Sequence, residues 1–79
     1  MSVKILYFAS LADRAGCSEE SVDTQSTTAN SIYEEACLRH GFPSGIDKLR
    51  VAVNGSFVSW EFEVNDGDEI VFIPPVSGG

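Results

Sequence analysis

The stretch Thr28-Ala-Asn-Ser-Ile-Tyr-Glu-Glu-Ala-Cys-Leu-Arg-His-Gly41 reads as one helix standing between two groups of strands. Thr28 can cap the first turn with its hydroxyl, and Gly41 can end the last one in the left-handed conformation. Ala29, Ile32, Tyr33, Ala36, Cys37 and His40 recur at helical spacing and make one apolar stripe. Glu34, Glu35 and Arg39 fall on the opposite side. Such a helix lays one face on something flat.

Working outward, both flanks read as strands. Upstream, Val3 to Ala9 is rich in β-formers. Ser10 to Ala15 is a short helix ended by Gly16, and Ser18 to Thr24 is a weaker strand, resting on Val22, that can pair back with the first. Downstream, Phe42-Pro43-Ser44-Gly45 is a loop and Leu49 to Val53 a strand. Asn54-Gly55 then favours a tight hairpin into a short strand from Phe57 to Trp60. Asn65-Asp66-Gly67-Asp68 is another turn, and Glu69 to Ile73 is the last strand. The order is β, β, α, β, β, β. One main helix across one face of a mixed sheet satisfies it most simply. The expectation is an α+β protein with the β-grasp, ubiquitin-like architecture: one domain over residues 1–79 with a flexible tail over 74–79.

Strand alternation sorts residues by face. Lys4 belongs in solvent, so Leu6 and Phe8 share its uncovered side while Val3, Ile5 and Tyr7 face the helix. By the same rule Glu69 carries Val71 and Ile73 outward, and Arg50 carries Ala52. The uncovered face therefore holds Leu6, Phe8, Ala52, Val71 and Ile73. One exposed leucine means nothing, but such a cluster favours a protein-binding surface over one covered by loops or self-association.

Size and charge narrow the function. Seventy-nine residues hold one small core and no deep, self-contained active site. Five Lys and Arg against twelve Asp and Glu leave a net charge of −7, which argues against nucleic acid and for basic partners. Every base lies at or before Arg50, while Glu61, Glu63, Asp66, Asp68 and Glu69 follow it. A solvated edge and a partner-facing one fit those acids equally. No apolar run approaches the roughly 18–20 residues of a membrane span, and the N-terminus lacks the marks of a signal peptide. Cys17 and Cys37 have no CxxC spacing and suit a reduced, cytoplasmic setting, with Cys37 on the helix's apolar face.

The tail Pro74-Pro75-Val76-Ser77-Gly78-Gly79 is the most telling segment. Two prolines stop the last strand from pairing further. The six residues can extend about 20 Å, and Gly78 and Gly79 can thread a narrow channel for lack of a Cβ. The carboxyl carbon of Gly79 is sterically open. Its ionised carboxylate is a poor electrophile, so its use as an acyl donor requires an activating enzyme.

Ala52-Val-Asn-Gly-Ser-Phe-Val-Ser59, the Asp66-Gly-Asp-Glu69 turn and the ending Phe72-Ile-Pro-Pro-Val-Ser-Gly-Gly79 closely resemble the MoaD-type branch of the ubiquitin-like sulfur carriers. That branch comprises the small subunits of molybdopterin synthase. The resemblance implies that an E1-like adenylyltransferase, using ATP and Mg²⁺ that this chain does not itself bind, adenylates Gly79. A sulfur-donor protein would then convert it to a thiocarboxylate. The tail would enter the large synthase subunit, in a heterotetramer of two small and two large subunits, and pass sulfur to cyclic pyranopterin monophosphate. Acid–base groups would come from that large subunit. Phe8, Phe57 and Ile73 match apolar contact positions of the family, with Ile73 in place of a frequent aromatic. Leu6, Val71, Pro74, Pro75, Val76 and Ser77 complete the expected contact set, beside Gly78 and the reactive Gly79. Many relatives have Arg-Glu where this chain has Ala12-Asp13; Arg14 is a candidate substitute for a salt bridge made there. The alternatives are a carrier for thiamine, tRNA or cysteine sulfur chemistry, or a non-covalent ubiquitin-like binding module.

The other polar residues have plainer readings. His40 suits the helix C-terminus electrostatically and has no second His with which to build a metal site. Asp66, Asp68 and Glu69 lack the remaining spacing of a calcium loop and read as a turn. Trp60 packs at the rim. Asn54 serves its turn, with the start of the tail as a second possible partner.

Overall fold

In the computed structural model, which describes residues 1–42 and 49–74, five strands and two helices follow one another along the chain. They are β1 (Ser2–Tyr7), α1 (Ala9–Ala15), β2 (Glu19–Asp23), α2 (Ala29–His40), β3 (Arg50–Val53), β4 (Ser56–Val58) and β5 (Glu69–Ile73). The sheet order is β2-β1-β5-β3-β4, with β1 and β5 parallel at the centre and every other pairing antiparallel. This is the expected β-grasp arrangement. The first and last strands lie side by side, so the chain leaves the fold beside the place where it entered the first helix.

Alternation sorts the faces as the sequence implies. Val3, Ile5 and Tyr7 are buried, and so are Ile70, Phe72, Val51 and Val53. Ile32, Tyr33 and Ala36 of α2 close over them. Ala52, expected on the uncovered face, is buried too, because its single methyl lies below its strand neighbours. The helix is fixed at both ends. Thr28 Oγ1 accepts the Ser31 N–H at 3.2 Å, and Gly41, at φ 72°, donates its N–H to the Cys37 carbonyl at 2.8 Å. Two further N–H groups of the first turn, those of Ala29 and Asn30, donate to the carbonyls of Phe62 and Trp60.

Those two bonds correct the fourth strand. It ends at Val58 rather than Trp60, because residues 59–62 turn in to close the start of α2, with the Phe62 N–H on the Ser59 carbonyl at 3.1 Å. Trp60 then stacks on Phe72 at 6.0 Å. The first strand likewise stops at Tyr7, where Phe8 caps α1, which begins one residue early at Ala9. Phe42 is a core residue packed against Tyr7 and Tyr33 rather than loop surface. Pro43, Ser44 and Gly45 of that loop lie outside the described residues. Asn54 and Gly55 both have positive φ, 51° and 88°, the turn that matches strand twist in a two-residue hairpin.

Candidate functional site: the open sheet face and the root of the tail

Strand register places three of the expected contact positions in one line with Ala52. Leu6 lies beside Val71, Val71 opposite Ala52, and Ala52 opposite Phe57, so the row crosses β1, β5, β3 and β4 on the face away from α2. Leu6 and Val71 are half-buried, while Phe57 is 71% exposed. One step toward the tail, Ile73 lies opposite Arg50, and Phe8, just past β1, is 49% exposed. One step the other way the character changes: Lys4 is beside Glu69 and pairs with Glu19 at 3.1 Å. The face therefore carries an ion pair at one end, while the end from which the chain departs is apolar beside the exposed Arg50.

The departure point is held firmly. Phe72 is fully buried, in contact with Tyr33 at 5.0 Å, Trp60 at 6.0 Å and Tyr7 at 6.5 Å between ring centres. Its strand is hydrogen-bonded on both sides, to β1 and β3. Pro74, which has no N–H to offer a neighbour, follows directly after Ile73. Pro75, Val76, Ser77, Gly78 and Gly79 lie outside the described residues.

The acids after Arg50 divide. Asp68 accepts the Asn65 N–H at 2.8 Å and the Asn54 side-chain amide at 2.9 Å, and these bonds hold its carboxyl below the usual range. Asp66 accepts the Ser2 N–H at 2.7 Å. Both are turn residues, at the end of the sheet away from the tail. Asn54 is committed there as well, its carbonyl oxygen taking the Glu69 N–H at 3.0 Å, so it does not hold the start of the tail. Among the described residues no group of three or more His, Cys, Asp or Glu side chains is placed to hold a metal ion. None of the helices is long and apolar enough to cross a membrane.

One cluster had no signal in the sequence. Oxygen Oε1 of Glu20 takes the Tyr7 hydroxyl at 2.5 Å, a ring nitrogen of His40 at 2.7 Å and the Arg39 guanidinium at 3.2 Å. His40 thus serves a specific partner besides the helix end. Burial pushes the Glu20 carboxyl up, but the Tyr7 and His40 hydrogen bonds and the Arg39 charge outweigh it and hold the group below its ordinary value. Burial and the same bond push the Tyr7 hydroxyl up, so it remains a donor. A depressed native carboxylate stabilises the fold above its unfolded pKa, and the contribution is lost as pH falls through the native one. The melting temperature of Glu20→Gln should therefore lie below that of the wild type near neutral pH, with the gap closing below about pH 4. A gap independent of pH would remove Glu20 ionisation from the account. Arg14, the candidate substitute at the altered position in α1, donates to the Gly41 carbonyl at 3.2 Å and so ties the two helices together. Ala12 packs on the core.

Comparison with known proteins converges on one family. The ThiS family model matches residues 5–79. The molybdopterin synthase sulfur carrier subunit of Escherichia coli is 31% identical over 80 residues, covering 98% of this chain and 99% of that one. The fold superposes on SAMP1 from Haloferax volcanii with a TM-score of 0.85 at 28% identity, covering all of both chains. It also superposes on the putative molybdopterin converting factor subunit 1 from Pyrococcus furiosus, with a TM-score of 0.79 at 35% identity, covering 96% of this chain and 99% of that one. With a family match over nearly the whole sequence and a full-length relative above 30% identity, this chain belongs to the ThiS family.

Proposed function

We propose that this chain is the sulfur carrier of a molybdopterin synthase. The observation that carries the reading is the apolar row Leu6–Val71–Ala52–Phe57, continued by Ile73 and Phe8 to the buried root of a Pro-Pro, Gly-Gly tail. A partner that covers this face is positioned to receive the tail. The names of the relatives, a sulfur carrier subunit and a converting factor subunit, support a larger protein as that partner.

In the cycle we infer, an E1-like adenylyltransferase with ATP and Mg²⁺ attacks the α-phosphate with the Gly79 carboxylate and releases pyrophosphate. A persulfide on a donor protein then displaces AMP, and a thiol cleaves the resulting acyl disulfide, leaving a thiocarboxylate at Gly79 and the thiol oxidised to a disulfide. The tail, from Pro74 through Pro75, Val76, Ser77 and Gly78, carries that sulfur into the large subunit. There the sulfur bonds to a carbon of cyclic pyranopterin monophosphate as the oxygen on that carbon leaves. Water then cleaves the acyl–sulfur link and returns Gly79 as a carboxylate, and a second carrier brings the second sulfur of the dithiolene. This chain supplies rigidity and reach; proton transfers belong to the larger subunit. The cytoplasm is the proposed setting, and a heterotetramer of two small and two large subunits the proposed assembly.

The test is reconstitution. The thiocarboxylated chain and the large subunit from the same organism should convert cyclic pyranopterin monophosphate to the dithiolene, whereas the carboxylate form should not. Failure with a thiocarboxylate verified by mass would refute the reading. Phe8→Asp should weaken large-subunit binding about 10–100-fold, measured calorimetrically, with little change in melting temperature. A large fall in melting temperature would instead make Phe8 a fold residue.

A second reading has its own observation, the superposition on SAMP1, a small archaeal modifier protein by name. Activated Gly79 would then acylate a lysine amine on a target protein. Covalent target adducts, in place of sulfur exchange, would identify that use.

A further inference from the structure

We propose that the outer edge of β4 is a strand-addition site, where an extended segment of the sulfur-accepting partner pairs with the backbone of Phe57. The inference rests on the carrier reading and specifies how the partner is gripped.

The backbone register fixes which way Phe57 points its peptide groups. In an antiparallel pair, successive residues turn their N–H and C=O alternately toward the neighbour and away. The Asn54 N–H donates to the Glu69 carbonyl at 2.9 Å, so the even-numbered residues of this strand turn toward β5. Val51 and Val53 therefore turn toward β4 and bond to their opposites, Val58 and Ser56. Phe57, between them, directs its N–H and C=O outward. β4 is an edge strand, and nothing among the described residues bonds to either group. The next outward carbonyl, that of Ser59, is already taken by the Phe62 N–H. The open edge is thus a single donor–acceptor pair, enough to align one strand and too short to template stacking of many.

Two features say what fits. β4 stops opposite Val51, so Arg50 has no cross-strand neighbour on that side. The corner is a shallow concavity of about 520 Å³ lined in part by Leu49, Arg50, Val58, Trp60 and, as its one acid, Glu61. Arg50 is exposed, makes no ion pair among the described residues and is the last basic residue of the chain. The occupant is therefore a strand with an acidic side chain for Arg50 and an apolar one for the space beside Val58 and Trp60. The Phe57 side chain continues the apolar row, so a partner covering that row already reaches the edge.

Residue-resolved amide exchange of the full chain, free and bound to the large subunit from the same organism, tests this. The Phe57 amide should exchange at least about tenfold more slowly in the complex. Replacing the Ser56–Phe57 amide by an ester removes that N–H and keeps the side chain. It should weaken binding about tenfold with only a small fall in melting temperature, since the N–H makes no bond to β3 and only the weaker ester carbonyl of Ser56, facing Val53, touches the ladder. Arg50→Gln should weaken binding several-fold, and Arg50→Lys should restore part of the loss. A complex that transfers sulfur while Phe57 exchanges as fast as in the free chain overturns the strand addition and leaves the carrier reading standing. Absence of both complex and sulfur transfer overturns both. Protection of Phe57 without partner, rising with protein concentration, would assign the edge to a second copy and overturn the proposal.

Discussion

A single alanine added after Gly79 is expected to abolish sulfur donation while leaving the melting temperature unchanged. The reacting atom in our account is the carboxyl carbon of Gly79, and any further residue turns it into an unreactive internal amide. The effect on activity is total because nothing else in the chain can substitute for that carbon. The effect on stability is absent because the fold is secured upstream. Among the described residues the last buried side chain is Phe72, and Ile73 is already only half-buried. Single-turnover sulfur transfer and thermal melting, run on the same preparation, check both halves. Retained transfer by an intact-mass-verified extended chain would refute the tail mechanism.

Phe72→Ala carries the largest expected cost in stability. Phe72 is fully buried among Tyr7, Tyr33 and Trp60, and its strand is central to the sheet. Truncating such a ring typically costs about 3–5 kcal/mol, a large share of the ~5–15 kcal/mol that holds a domain together. In a domain of this size that corresponds to a fall in melting temperature of roughly 15–30 °C. Phe72→Leu keeps most of the volume and should cost far less. If Phe72→Ala melts within a few degrees of the wild type, the aromatic packing at the tail root is not what secures it.

The parts of this molecule legible in the sequence are those governed by local rules. Thr28 and Gly41 bracket α2 because capping depends on a few adjacent groups. Period-two alternation placed Leu6, Val71 and Ile73 on the open face, because a strand's pleat leaves no choice of side. What was not legible depends on groups distant in sequence. Trp60 leaves its strand because α2, thirty residues earlier, needs carbonyl partners at its first turn. Phe42 looks like loop surface until Tyr7 and Tyr33 are brought to it. Glu20 and His40 share no periodicity and meet only through the packing of β2 against α2. The open backbone pair at Phe57 belongs to the pairing of strands, and no residue identity encodes it.

The most direct test of the central claim is the intact mass of the chain after incubation with an E1-like adenylyltransferase, ATP, Mg²⁺ and a sulfur donor. The account predicts exchange of one oxygen for sulfur, located by fragmentation at Gly79 and dependent on ATP. An unchanged mass, under conditions that convert an established carrier, would contradict it.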